Sequence, residues 1–116
     1  MNITDYSFHD SAILGVKELI GDQVLEYIID FPVDWENNIF ERRILRFTDV
    51  TYYAVSEMPF LGVPTILETH DLGIEKTVLG SGVNEMIFER KKVELVTNAG
   101  IRLIHYQNCD LLMPTI

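Results

Sequence analysis

Residues 24–31, VLEYIIDF, place Leu25, Tyr27, Ile29 and Phe31 at every second position, with Glu26 and Asp30 between them and Val24 and Ile28 alongside. A period of two puts alternate side chains on opposite faces of an extended chain, so this stretch predicts a strand with one buried and one solvated face. The run before it, AILGVKELI at 12–20, is also rich in β-branched residues, and Gly21-Asp22 lies between the two. That arrangement predicts a hairpin.

The same signals recur along the chain. Pro32 is expected to end the second strand or to push it to a sheet edge, because proline has no N–H for the ladder. DWENN at 34–38 supplies turn-forming residues and predicts a loop carrying Trp35. In RRILRFTDVTYYAV, residues 42–55, Leu45 and Phe47 oppose Ile44, Arg46 and Thr48, which predicts a strand broken near Asp49. A helix would also align Ile39, Arg43 and Phe47, but the β-branched and aromatic content favours a strand. Residues 56–85 hold two prolines and several glycines without a sustained period, so mostly loop is expected around one short element at 65–70. A second hairpin is expected from MIFERKKVELVTN and IRLIHYQNCDLL, residues 86–98 and 101–112, turning at Ala99-Gly100 with Val93, Leu95 and Thr97 on one face.

Two hairpins, no long helical period and no βαβ rhythm imply a mainly β fold: a single-domain antiparallel sandwich or open barrel over residues 1–116, with at most short helices. The 116 residues suffice for one domain, and 47% hydrophobic content suffices for a core without disulfides or metal. The 18 acidic against 9 basic residues leave a net charge of −9, which argues against nucleic acid and anionic membrane as partners and allows a basic protein partner. MNITDYSFHD has neither a basic start nor an apolar core of signal-peptide type, and the apolar run at 58–67 is about half a membrane span, interrupted by Pro59 and Pro64. With a single cysteine, Cys109, a reduced cytoplasmic location is expected.

No motif fixes a chemistry. Gly80-Ser81-Gly82 is neither a nucleophile elbow nor a phosphate loop, and Cys109 sits in a strand pattern where a thiol is expected to pack in the core. No catalytic residue and no cofactor is assigned. His9-Asp10 and His70-Asp71, with His105, are the candidate metal ligands, but adjacent strand residues aim at opposite faces and no metal-binding spacing is present. In SFHDS, residues 7–11, the structural reading is favoured: Phe8 plugging one end of the core, His9 bonding a neighbouring strand, Asp10 and Ser11 fixing a turn. Trp35 between Asp34 and Glu36 is the candidate contact for a basic partner, because indole supplies buried area and carboxylates steer and pair.

FHDS at 8–11, LRFTDV at 45–50 and VELVTNAGIRLIHYQNCDLL at 93–112 resemble small bacterial FHD-type β proteins, some classed as immunity proteins of polymorphic toxin systems. The resemblance implies a cytoplasmic, mainly β domain without an activity or catalytic residues to carry over; residues 56–85 do not share it. Net charge, the missing catalytic motifs and this resemblance make a non-enzymatic protein-binding domain, of the immunity type that neutralises a toxin, the first expectation. A small barrel binding a ligand or metal at a mouth of His9, His70, His105 and Tyr106 is the second. A self-associating homodimer, pairing edge strands near Pro32 or within Ile101 to Leu112, is the third.

Overall fold

A computed structural model describes residues 1–58 and 62–114. Residues 59–61, inside the apolar run at 58–67, and 115–116 lie outside the described residues.

The first hairpin forms as the alternation requires. Strand β1 (Ala12–Leu19) leads through a short 3₁₀ turn at Ile20–Asp22 into β2 (Val24–Asp34), with Gln23 left-handed at φ 54. Leu25, Tyr27, Ile29 and Phe31 are buried and Ile28 is exposed, as period two demands, but Glu26 on the other face is buried as well, where its carboxylate accepts from Arg46 at 2.8 Å. Pro32 does not end the strand, which runs on to Asp34. Its N–H is dispensable because β1 pairs with β2 only as far as Asp30, so beyond that point β2 has one neighbour and is locally an edge.

Strand β3 (Ile39–Thr48) buries Leu45 and Phe47, and the chain then breaks at Asp49, left-handed at φ 52, before β4 (Tyr52–Glu57). This break moves the chain from one sheet to the other. Strands β1-β2-β3 and β8 (Asn108–Leu112) form one antiparallel sheet; β4, β7 (Gly100–Tyr106), β6 (Met86–Thr97) and β5 (Ile66–Leu79) form the second, in that order. The two sheets enclose a core and do not close into a barrel, so of the two expected architectures the sandwich is the one present.

The core is bridged by aromatics. Phe47 of the first sheet meets Tyr106 of the second edge-on at 5.0 Å between ring centroids, and Tyr27 meets Phe47 at 6.1 Å. Fully burying each such side chain contributes about 1.5–3 kcal/mol. Cys109 is buried among them and its thiol is pushed up by burial, as expected of a packing residue.

Two expectations need correction. Residues 101–112 are not one strand: the chain turns at Gln107, leaving β7 in the interior of the second sheet while β8 forms an edge of the first. Of residues 101–112, the second of the two regions expected to pair at an edge, only Asn108–Leu112 is an edge. Residues 56–85 are not mostly loop, because β5 extends 14 residues, far past the short element expected at 65–70. Its backbone is held by the ladder to β6, while both of its faces are solvated beyond Ile66 apart from Thr69. Alternation appears only where one face is buried, so this strand shows none. Gly73, at φ 85, marks a bulge between Asp71 and Ile74 and does not end the strand.

Candidate functional site

One end of the sandwich is built from three segments distant in sequence: the N-terminal stretch, the β2–β3 turn and the start of β5. Phe8 is buried, packed against Phe31 at 5.7 Å. The chain then turns at Asp10, φ 67, where the Asp10 N–H donates to the Ile66 carbonyl at 2.8 Å and the Ile66 N–H to the Ser11 carbonyl at 2.8 Å. The turn is thus laced to β5 by backbone bonds. The expected side-chain role of Ser11 is absent: its hydroxyl is buried without a partner.

His9 is fixed by β5, its Nδ1–H donating to the Leu67 carbonyl at 2.7 Å. Its ring lies parallel to that of Trp35, 9° apart with centroids at 5.7 Å. Trp35 remains 50% exposed. In the turn beneath, the Asp34 carboxylate accepts from the Asn37 backbone at 3.2 Å and from the Asn37 side-chain amide at 2.7 Å. Those bonds hold the Asp34 carboxyl below its ordinary range, so it is ionised and already oriented.

Beside the stack lies a cleft of about 440 Å³ running from Ile3 to His9 and from Leu67 to His70. Asp5 and Glu68 line it; no lysine or arginine does. The N-terminal stretch and the β2–β3 turn at this end carry Asp5, Asp10, Asp34 and Glu36. The structure therefore joins two features read separately from the sequence, the FHD segment and the Trp35 turn, in one acidic aromatic surface.

The three histidines do not converge. His9 and His70 open on this cleft, whereas His105 lines a different one with Tyr52, Phe88 and Arg90. Tyr106 faces the core, 2% exposed, so the barrel mouth expected from these four residues is not formed. His70 lies between two carboxylates, Nδ1 at 3.0 Å from Glu94 and Nε2 at 2.9 Å from Glu68. Both nitrogens donate only in the imidazolium, so Glu94 first and Glu68 next raise its pKa. His105 is shifted the other way, lowered mainly by burial. Among the described residues no group of three His, Cys, Asp or Glu is arranged to hold a metal ion.

The raised His70 contributes stability that is fully present below its unfolded pKa of about 6.5 and is lost as pH rises through its folded value. His70→Gln is expected to lose thermal stability near pH 5.5 and to approach the native protein near pH 9. Melting curves at both pH values check this; an equal loss at both would exclude the ion-pair explanation.

Sequence reasoning missed a second polar cluster, inside the sandwich. Arg102 on β7 holds Glu57 on β4 through two bonds, 2.8 Å from Nε and 2.7 Å from Nη2, with both side chains about one-tenth exposed. Thr97 donates to the same carboxylate at 2.9 Å, the Tyr27 hydroxyl donates to that of Tyr53 at 3.1 Å, and the guanidinium lies over the Tyr27 ring. Arg102 holds the Glu57 carboxyl below its ordinary range, and burial pushes the Tyr27 phenol far above its own. These groups exchange no proton near neutrality; they join β4 to β7 and one sheet to the other. The signal was present in IRLIHY, where Arg102 shares the inward parity of Ile104 and Tyr106.

No helix among the described residues is long and apolar enough to cross a membrane. No known protein family matches this chain, and no curated protein matches its sequence at a significant level.

Proposed function

We propose that this chain is a non-enzymatic protein-binding domain that docks a basic partner on the Trp35 surface, as an immunity-type protein neutralising a toxin would. The observation that carries the reading is the stacked His9–Trp35 pair, half exposed and set among carboxylates. One face of the indole lies along His9, and the half of Trp35 that is exposed suits an arginine or lysine side chain bound by cation–π contact. Asp34 and Glu36 flank the indole and favour the approach of positive charge. An anchor already stacked and a carboxylate already bonded lose little freedom on binding, which favours affinity. A cytoplasmic location agrees with one buried, unpaired thiol.

The test is photo-crosslinking from a residue next to Trp35, identification of the captured protein, and titration calorimetry with that protein purified. Trp35→Ala combined with Asp34→Lys and Glu36→Lys is expected to weaken binding by about 100-fold or more, as loss of a buried aromatic anchor and of two charges predicts. Unchanged affinity would remove the surface from consideration, and a captured partner without basic character would remove its chemistry.

A further inference from the structure

Strands β5 and β6 run on as a two-stranded ribbon where their neighbours end: β7 accompanies β6 only as far as Lys91, and β4 begins at Tyr52, opposite His105. On β6, Phe88 and Arg90 share the parity of Lys92, which pairs with His105, and His105 pairs in turn with Tyr52. These side chains therefore lie on the face of the sheet turned away from Val93 and Ile104 of the core. A cleft of about 500 Å³ sits at this step, lined by Tyr52 and His105 of the sheet end and by Glu75, Leu79, Phe88 and Arg90 of the ribbon. Its volume falls in the range of small-molecule sites, roughly 300–1,000 Å³. Much of its lining is aromatic, and the Tyr52 ring packs on that of His105 with centroids 4.7 Å apart.

We infer that this cleft binds a small planar carboxylate, with the anionic group on Arg90 and the ring among Tyr52, Phe88 and His105. Arg90 selects the charge. Its Nε–H donates to the Asp49 carbonyl and its Nη1 to the Glu89 carbonyl, both at 2.9 Å, which holds the guanidinium 5.7 Å from the centroid of the Phe88 ring. Among the described residues Nη2 has no partner and no carboxylate lies within ion-pair distance of this arginine, so an oriented donor is left for an incoming anion. The one acid lining the cleft does not claim it: Glu75 stands opposite Arg90 in the ladder yet turns to Lys92, with Oε2 3.7 Å from Nζ. His105 adds no charge, because burial and then Lys92 hold it below its ordinary range and leave it neutral at pH 7. Its Nε2 is buried without a hydrogen-bond partner, so this wall of the cleft has polar capacity that the protein itself does not use. The lining residues together with Lys92 thus carry one net positive charge, from two cations and one carboxylate, which matches a monoanion. No residue of this cleft belongs to the Trp35 surface or to the cleft beside it.

Titration of the isotope-labelled full chain with sodium benzoate, followed by heteronuclear NMR, tests the inference. Saturable shifts centred on Tyr52, Phe88, Arg90 and His105 are expected, with a Kd of about 1 mM or tighter, an affinity within reach of a ligand of this size. Benzamide, the neutral counterpart of the same shape, is expected to bind about 10-fold more weakly or worse, and Arg90→Gln to weaken benzoate by a similar factor, as loss of one charge-assisted pair predicts. Trp35→Ala is expected to bind benzoate as the native chain does, which separates this site from the docking surface. The comparison of benzoate with benzamide uses the native chain and so decides the matter whether or not Arg90→Gln folds. Absence of saturation, shifts centred elsewhere, equal binding of the two probes, or native affinity in a folded Arg90→Gln overturns the inference.

Discussion

Glu57→Ala is expected to lower the unfolding free energy by about 3–5 kcal/mol, because it leaves the Arg102 guanidinium buried without its counter-charge. Arg102 is 8% exposed, and the remaining acceptor close to it, the Tyr53 hydroxyl at 3.4 Å, is neutral and distant. For a chain of this length the loss corresponds to roughly 12–20 °C in melting temperature. The double replacement Glu57→Leu with Arg102→Met is expected to be markedly less destabilised than Glu57→Ala, since a buried ion pair exchanged for apolar groups of similar volume is often near neutral. Thermal and urea unfolding of the three proteins decide the matter. A Glu57→Ala loss below about 1 kcal/mol, the range of an exposed pair, would show that the pair is solvated. The pH dependence follows from the lowered carboxyl. Glu57 contributes stability above its unfolded pKa of about 4.3, and that contribution is lost as pH falls through the lower folded value. The native protein should therefore show a steeper acid limb of unfolding than Glu57→Gln does.

The FHDS segment yields the second large effect, through a contrast between neighbours. Phe8→Ala is expected to cost about 3–5 kcal/mol, the range for removing a fully buried ring. Phe8 is 1% exposed and contacts the rings of Tyr6 and Phe31, so its loss opens a cavity at the end of the core. His9→Ala removes only a half-exposed ring and one bond to the Leu67 carbonyl, and is expected to cost about 1 kcal/mol or less. The same substitution frees Trp35 from its stack and, if the proposed docking holds, weakens that docking more than it lowers stability. Urea denaturation of both variants is the check; a His9 loss equal to that of Phe8 would make the imidazole a core element and not a surface support.

Much of the framework was legible because burial leaves a periodic trace. Leu25 to Phe31, Leu45 with Phe47, and Val93 to Thr97 were read as inward rows and are buried. The break near Asp49 and the turn at Ala99-Gly100 were read from residue type. Strand β5 was not legible, since beyond Ile66 neither face supports an apolar row and its register depends on β6 alone. The Trp35 surface was half legible: the indole and its acids stood out, but nothing local placed His9 against them.

Residue order alone thus determined which segments are extended and which side chains turn inward, because hydrophobic alternation is a local property of a half-buried strand. Only the tertiary structure decided that the sheets stay open as a sandwich, that β7 and β8 part at Gln107, that Arg102 meets Glu57, and that His9 stacks on Trp35. Those outcomes rest on pairings between residues 26 to 45 positions apart and more, whose geometry is set by how two twisted sheets pack and not by any neighbour in the chain.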